Sequence, residues 1–288
     1  MDDLGFFKNA LIILSTINLQ IKKLEEVKIG IAISTFTEEK TDDKRYDIID
    51  KSLSSLNDII KLTNLNIYIV IVVDGQIPEK HKNILNKYNF NIYNRPNNGG
   101  VARTKNTSIK LLLEKDVDIG FLADDDVLYK KGCLKEYCST IINGNIHHIG
   151  YCQMHPLVHP KKDWIKRGYI EINFNGQKVM KHKGRGVGCW LSFTPELIKK
   201  IGYFKVMKGK YGYEHINFTY RCIKQNIIPH ALDIIDPIKY IDHIGFEPVG
   251  INKFNKSHSI SEEYRKKENN KNKDEWQKNL NKYVNFEE

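Results

Sequence analysis

From Val27 to Asp126, short runs of apolar residues alternate with stretches of helical periodicity, and this alternation restricts the fold more than any other feature of the chain. The runs are KIGIAIS (28–34), NIYIVIVVD (66–74), NFNIYNR (89–95) and IGFLA (119–123). A continuous apolar run of this length suits a strand covered on both faces, which is the environment of a parallel sheet. Parallel strands need crossover connections, and the intervening segments provide them. Ile48, Ile49, Leu53, Leu56, Ile59 and Ile60 fall at helical spacing in YDIIDKSLSSLNDIIKL, and PEKHKNILNKY and VARTKNTSIKLLLEK read as two further helices. The expected fold class is α/β, with a Rossmann-like, mostly parallel central sheet flanked by helices.

In such sheets ligands bind beyond the carboxyl ends of the strands. Thr35 follows the first strand, Asp74 the second, and Asp124-Asp125-Asp126 the fourth. Three adjacent carboxylates repel one another and raise each other's pKa unless a cation or proton intervenes. Mg²⁺ or Mn²⁺ takes one or two protein carboxylates and fills its remaining positions from phosphates and water. The triplet therefore points to a cation bridging to a diphosphate, against the plainer reading of a solvated turn.

The second half is less regular. YIEINF-NG-QKVMKH (169–182) reads as a hairpin turning at Asn175-Gly176. VGCWLSF reads as a strand, and TPELIKKIG as a short helix with Thr194 as N-cap, Pro195 in its first turn and Gly202 past its end. A further helix is expected from about Glu214, with Ile216, Tyr220 and Ile223 on one face. Beyond His258 the composition is almost wholly charged and polar, which predicts a solvated helix or a partly disordered tail.

IAISTF, VVDGQ, NNGGVAR and FLADDD, in that order and spacing, resemble the nucleotide-sugar-binding half of GT-A glycosyltransferases, family 2 especially. GKYGYEHINFTYR is similar to the glycine-rich segment before a Glu-Asp acceptor motif in that fold, galactosyltransferase-like members included, and DHIG (242–245) is similar to the segment bearing a downstream metal-binding histidine. The resemblance spans roughly residues 28–250 and implies a metal-dependent transfer of sugar from a nucleoside-diphosphate sugar, a UDP-sugar foremost, to a hydroxyl of a glycan, protein or other acceptor. It implies that Asp74 and Thr35 line the nucleobase pocket and that Arg103 lies near the diphosphate. Asp124 would contact the ribose or the metal, and Asp126 and His243 would ligate Mn²⁺ or Mg²⁺, with Asp125 an equal candidate. Glu214 would be the general base of an inverting, single displacement. The chain departs from the family pattern at Gln76, Thr104, Ala123 and His215, the last standing where an Asp is usual.

With this resemblance the chain divides into an N-terminal amphipathic helix (1–26) read from its pattern, a GT-A domain (27–250) with nucleotide-binding (27–130) and acceptor (131–250) halves, and a charged tail (251–288) read from its composition. Residues 6–21 read as an amphipathic helix, an interface for a second copy or a peripheral membrane contact, since their polar positions interrupt any span of about 20 apolar residues. Five scattered cysteines without CxxC, and Asp2-Asp3 where a leader's basic region would be, predict a reducing, cytoplasmic setting. Cys152, His155 and His159 have zinc-like spacing but no fourth ligand. GRGVG (184–188) precedes a strand, which suits a loop closing over donor sugar beside Trp190 as a sugar platform better than a dinucleotide loop. The formal charge of +10 keeps a basic nucleic-acid-binding protein open as an alternative, and a nucleotidyltransferase of similar fold is another.

Overall fold

The first apolar run forms β1 (Lys28–Thr35), with Ile29 to Ile33 fully buried. It lies at the centre of the main sheet because its neighbours are equally apolar: β2 (Asn66–Asp74) on one side and β4 (Ile119–Asp124) on the other, both parallel to it. β3 (Asn91–Arg95) continues the parallel set beyond β2, and β8 (Trp190–Phe193) closes the other edge antiparallel to β4, giving the order β3-β2-β1-β4-β8. The computed structural model describes residues 23–152, 165–166, 168–182, 188–244 and 262–286. The 6–21 helix, the two histidines of the zinc-like spacing and residues 184–187 of the glycine loop lie outside them.

The crossovers are α1 (Asp43–Lys61), α2 (Glu79–Leu85) and α3 (Val101–Leu113). Asp42 caps α1 by accepting from the Lys44 amide, satisfying one of the unpaired donors at the helix start. Two short strands fix the site's lower wall: β5 (Val127–Tyr129) pairs antiparallel with β10 (Ile241–His243), setting His243 opposite Val127 and next to Asp126. The predicted hairpin is β6 (Ile170–Phe174) and β7 (Gln177–His182), joined through Asn175 and Gly176 at positive φ and extended by β9 (Ala231–Asp233). One apolar core runs from Val27 to Ile241, so β8 and α4 (Cys133–Asn143) share it with the strands of the first half.

Two elements bury polar residues that their sequence pattern does not announce. α6 (Glu214–Lys224) buries Asn217, Phe218, Arg221 and Cys222, while Ile216, Tyr220 and Ile223 are only half-buried. The polar pair is inside because it satisfies backbone: Arg221 donates to the carbonyls of Ile201 and Tyr203, and Asn217 to that of Trp276. The polar tail forms a largely exposed helix over its described residues, as expected, and docks through a few buried positions. After α5 (Pro195–Ile201), the Tyr203 amide donates to Val284, and α7 (Glu262–Asn272) packs Glu268 and Asn272 into the protein. All five cysteines are buried and unpaired.

Candidate active site

The three aspartates at the end of β4 each face a different cation of the protein itself. Asp124, about a third exposed, lies 3.1 Å from Nζ of Lys105, whose side chain is wholly buried on α3. Asp125 points inward, accepting from Arg45 of α1 through Oδ1 and from the Thr35 hydroxyl through Oδ2. Asp126 lies 3.2 Å from Nε2 of His243. Burial alone would lower His243, but the Asp126 carboxylate raises it above its ordinary range. Likewise burial opposes the charge on Arg45, and Asp125 and Asp126 outweigh it and hold the guanidinium charged. These cations offset the repulsion only in part: burial, with the Asp126 charge adding to it, holds the carboxyls of Asp124 and Asp125 above their ordinary range.

This geometry changes two expected roles. Both oxygens of Asp125 are engaged with Arg45 and Thr35, and the residue is 3% exposed, so it anchors the turn instead of facing a donor or a metal. Thr35 serves the same anchor, with its hydroxyl also 3.2 Å from His81 Nε2, so it does not line an open pocket.

Asp74 is similarly occupied. Its carboxylate accepts from Arg95 at 2.8 Å and from the amides of Gly99 and Gly100 at 3.1 and 2.9 Å. Three donors leave little of a carboxylate's accepting capacity for a nucleobase, and what they build is the turn that starts α3. Arg103, the third residue of α3, is half-buried, and its guanidinium has no hydrogen-bond or ion-pair partner among the described residues.

Glu214 is the first residue of α6, following Tyr213 in the left-handed conformation at φ 68°. It is 7% exposed, and Oε1 lies 3.3 Å from Nδ1 of His215. Burial pushes its carboxyl up, yet His215 and Lys105 outweigh burial and bring it below the ordinary range, so it is ionised at neutral pH. Lys105 also donates to the Gly188 carbonyl. One buried ammonium therefore acts on Asp124, Gly188 and Glu214 together. Trp190 is not at this surface: it is fully buried, stacked on Phe121 at 4.5 Å with Tyr129 and Tyr137 edge-on. Its large apolar ring fills the core between β4 and α4, which corrects the expected sugar platform.

The model of the family described as glycosyl transferase family 2 matches residues 31–201. A protein of Acanthamoeba polyphaga mimivirus named "Uncharacterized glycosyltransferase R363" is 40% identical over 225 residues, 77% of this chain and 83% of that protein. The chain belongs to glycosyl transferase family 2. Similar solved structures include S. aureus TarS, at 17% identity and TM-score 0.45 over 67% of this chain and 33% of that one. TarS 1-349 in complex with UDP-GlcNAc is similar at 16% identity and TM-score 0.44, over 67% and 52%. This glycosyltransferase thus spans a third to about half the length of those solved chains. Family membership favours sugar transfer over the nucleic-acid-binding and nucleotidyltransferase readings, and the α/β sheet has the GT-A arrangement expected.

Whether the glycosyltransferase's residues fit a divalent cation turns on Asp126 and His243. Their facing atoms are 3.2 Å apart, close to the spacing of about 3 Å between adjacent ligands around an octahedral ion with bonds of about 2.1 Å. Among the described residues no group of three His, Cys, Asp or Glu is arranged to hold a metal. Asp126 and His243 could therefore supply at most two ligands, His243 only once it gives up the proton that pairs it with Asp126, and the rest of the shell would come from diphosphate and water.

Arg45, Arg95 and Lys105 are the functional residues that motif reading missed. A signal existed for two of them. Arg45 shares the helical face of Ile49, Ser52, Leu53 and Leu56, and Lys105 that of Ile109 and Leu112. A cation on the apolar face of a helix is buried and must find a partner.

Proposed function

We propose that this glycosyltransferase moves a sugar from a nucleoside-diphosphate sugar, with UDP-sugars the first candidates, to an acceptor hydroxyl in one inverting displacement. The observation that carries the reading is Lys105, whose buried ammonium lies 3.1 Å from Asp124 and, after His215, helps to hold Glu214 ionised, so that the end of β4 and the start of α6 share one charge. Residues 27–130 supply the donor side and 131–250 the acceptor side. Ionised Glu214 takes the proton of the acceptor hydroxyl while its oxygen bonds to the anomeric carbon and the bond to the diphosphate oxygen breaks. Arg103, whose guanidinium has no partner among the described residues, faces the diphosphate, a bidentate acceptor for it. Asp126 and His243 would hold Mn²⁺ or Mg²⁺, which supplies Lewis-acid stabilisation of the leaving group when bound.

Calorimetric titration of UDP, GDP, dTDP and CMP with and without Mn²⁺ tests the donor side. One diphosphate should bind in a Mn²⁺-dependent manner, and Asp126→Ala should remove that dependence. Glu214→Gln should bind the same nucleotide as tightly and release UDP from UDP-N-acetylglucosamine or UDP-glucose roughly 100- to 10,000-fold more slowly. Full turnover in Glu214→Gln would remove the base assignment, and cation-independent binding of every nucleotide would remove the metal.

A further inference from the structure

Glu214 is reached through a strap, Gly209 to Tyr213, that has no regular secondary structure. A strap of this kind has few internal hydrogen bonds, so something outside it must hold its path. Asn272, the last residue of α7, does so. Its Oδ1 accepts from the Gly209 amide at 2.7 Å, and its Nδ2 faces the carbonyls of Gly209, Tyr211 and Gly212 at 3.0, 3.0 and 2.9 Å. The residue is 2% exposed, so these bonds are sheltered from water. Four residues earlier on the helix, Glu268 accepts from the Lys210 amide at 3.0 Å.

The approach is too close for side chains. A Cβ on Gly209 would fall 2.1 Å from the Glu268 carbonyl oxygen, and one on Gly212, at φ +88°, would fall 2.3 Å from Asn269 Oδ1. Past the helix, Trp276 stacks on Tyr213 with rings 8° from parallel, and its carbonyl accepts from Asn217 at 2.6 Å. The same strap also touches the donor side. The Lys210 carbonyl accepts from the Val101 amide at 3.0 Å, and Lys210 Nζ donates to the Asn98 carbonyl at 3.1 Å, both at the start of α3. The path is continuous from Asn272 to the strap, and from the strap to both Glu214 and the turn below Arg103.

We infer that Asn272 is a positioning residue for sugar transfer: it sets the course of the 209–213 strap and thereby places Glu214 against the donor site. The inference rests on Glu214 being the base. Both the strap and α7 lie outside the residues 31–201 that match the family model.

The test compares Asn272→Ala and Asn272→Asp with the full-length wild type. UDP release from UDP-N-acetylglucosamine and UDP-glucose is followed with Mn²⁺, alongside amide hydrogen exchange without nucleotide. Misplacing a reacting group by about 1 Å costs about 100-fold, so Asn272→Ala should lose roughly that factor in kcat with the donor KM changed less than about threefold. Asn272→Asp keeps the acceptor for Gly209 but turns an anion toward three carbonyls, and should be no better than Asn272→Ala. Exchange should rise at Gly209 and Gly212 and through the first turn of α6, while β1, β2 and β4 stay protected. Wild-type-like turnover in Asn272→Ala would overturn the inference, as would protection lost evenly over strap and sheet. A wild type that turns over neither donor, or a Glu214→Gln variant as active as wild type, counts against the proposed function instead. In that event the exchange pattern by itself decides whether Asn272 fixes the strap.

Discussion

Replacing Arg45 by Met would leave the Asp125 carboxylate buried beside two others with no cation of its own. Arg45 is 7% exposed and Asp125 3%, and both sit beneath the turn that carries Asp124 and Asp126. Removing one member of a buried ion pair costs about 3–5 kcal/mol, because the orphaned charge keeps its desolvation penalty and loses its partner. Against a typical stability of about 5–15 kcal/mol that is a large share, and at about 2–4 °C per kcal/mol it lowers Tm by about 6–20 °C. Asp125→Asn should cost less, because the guanidinium keeps Asp126 and Asp124 as nearby charges. The double variant Arg45→Met/Asp125→Asn should cost less than the sum of the singles by at least about 2 kcal/mol, since neither charge is then unmatched. Lowering the pH should shrink the deficit of Arg45→Met, because a protonated Asp125 no longer needs a cation. Urea denaturation of the four proteins at pH 7 and pH 5 reads all of this. Additive single effects, each below about 1 kcal/mol, would mean that the triplet is not held by the protein's own cations and that the reasoning is wrong.

Two more outcomes follow from burial. His148, between the Ser192 carbonyl at 2.7 Å and the Thr219 hydroxyl at 2.9 Å, and His182 are both pushed down to about 4 by burial. The unfolded chain binds their protons first, so the stability they contribute is complete above about pH 6.5 and is lost as pH falls toward 4, with a ceiling of about 3 kcal/mol each. Tm should fall across that window, and a His148→Gln/His182→Gln chain should show a flatter slope; an identical slope rejects the assignment. Trp190→Ala should cost about 3–5 kcal/mol as a core cavity, whereas Trp190→Phe should fold and keep UDP affinity within about twofold. A selective loss of donor KM in Trp190→Phe would return that ring to the sugar site.

How much was legible follows from what periodicity encodes. Ile29 to Ile33 and Ile69 to Asp74 announce strands covered on both faces, and Asn175-Gly176 announces a turn, because each signal is local. The buried face of α6 is not legible because Asn217 and Arg221 count as polar in a helical pattern. Their burial depends on carbonyls at Ile201, Tyr203 and Trp276 that no local window contains. The docking points of the tail are hidden for the same reason. Glu268 and Asn272 look solvated until the strap that receives them is in place. Trp190 was misassigned because an aromatic beside a loop reads the same whether it faces a ligand or Phe121.

The sequence by itself determined the α/β alternation, the placing of acidic residues at strand ends, and family membership, all of which live in short ordered segments. Only the tertiary structure decided which aspartate does what. Arg45 reaches Asp125 across 80 positions, Lys105 reaches Asp124 from α3, and His243 meets Asp126 through the pairing of β5 with β10. Three identical carboxylates in a row carry no local mark that tells them apart. What distinguishes them is the direction each side chain takes at the end of β4 and the cation that the sheet order brings to meet it.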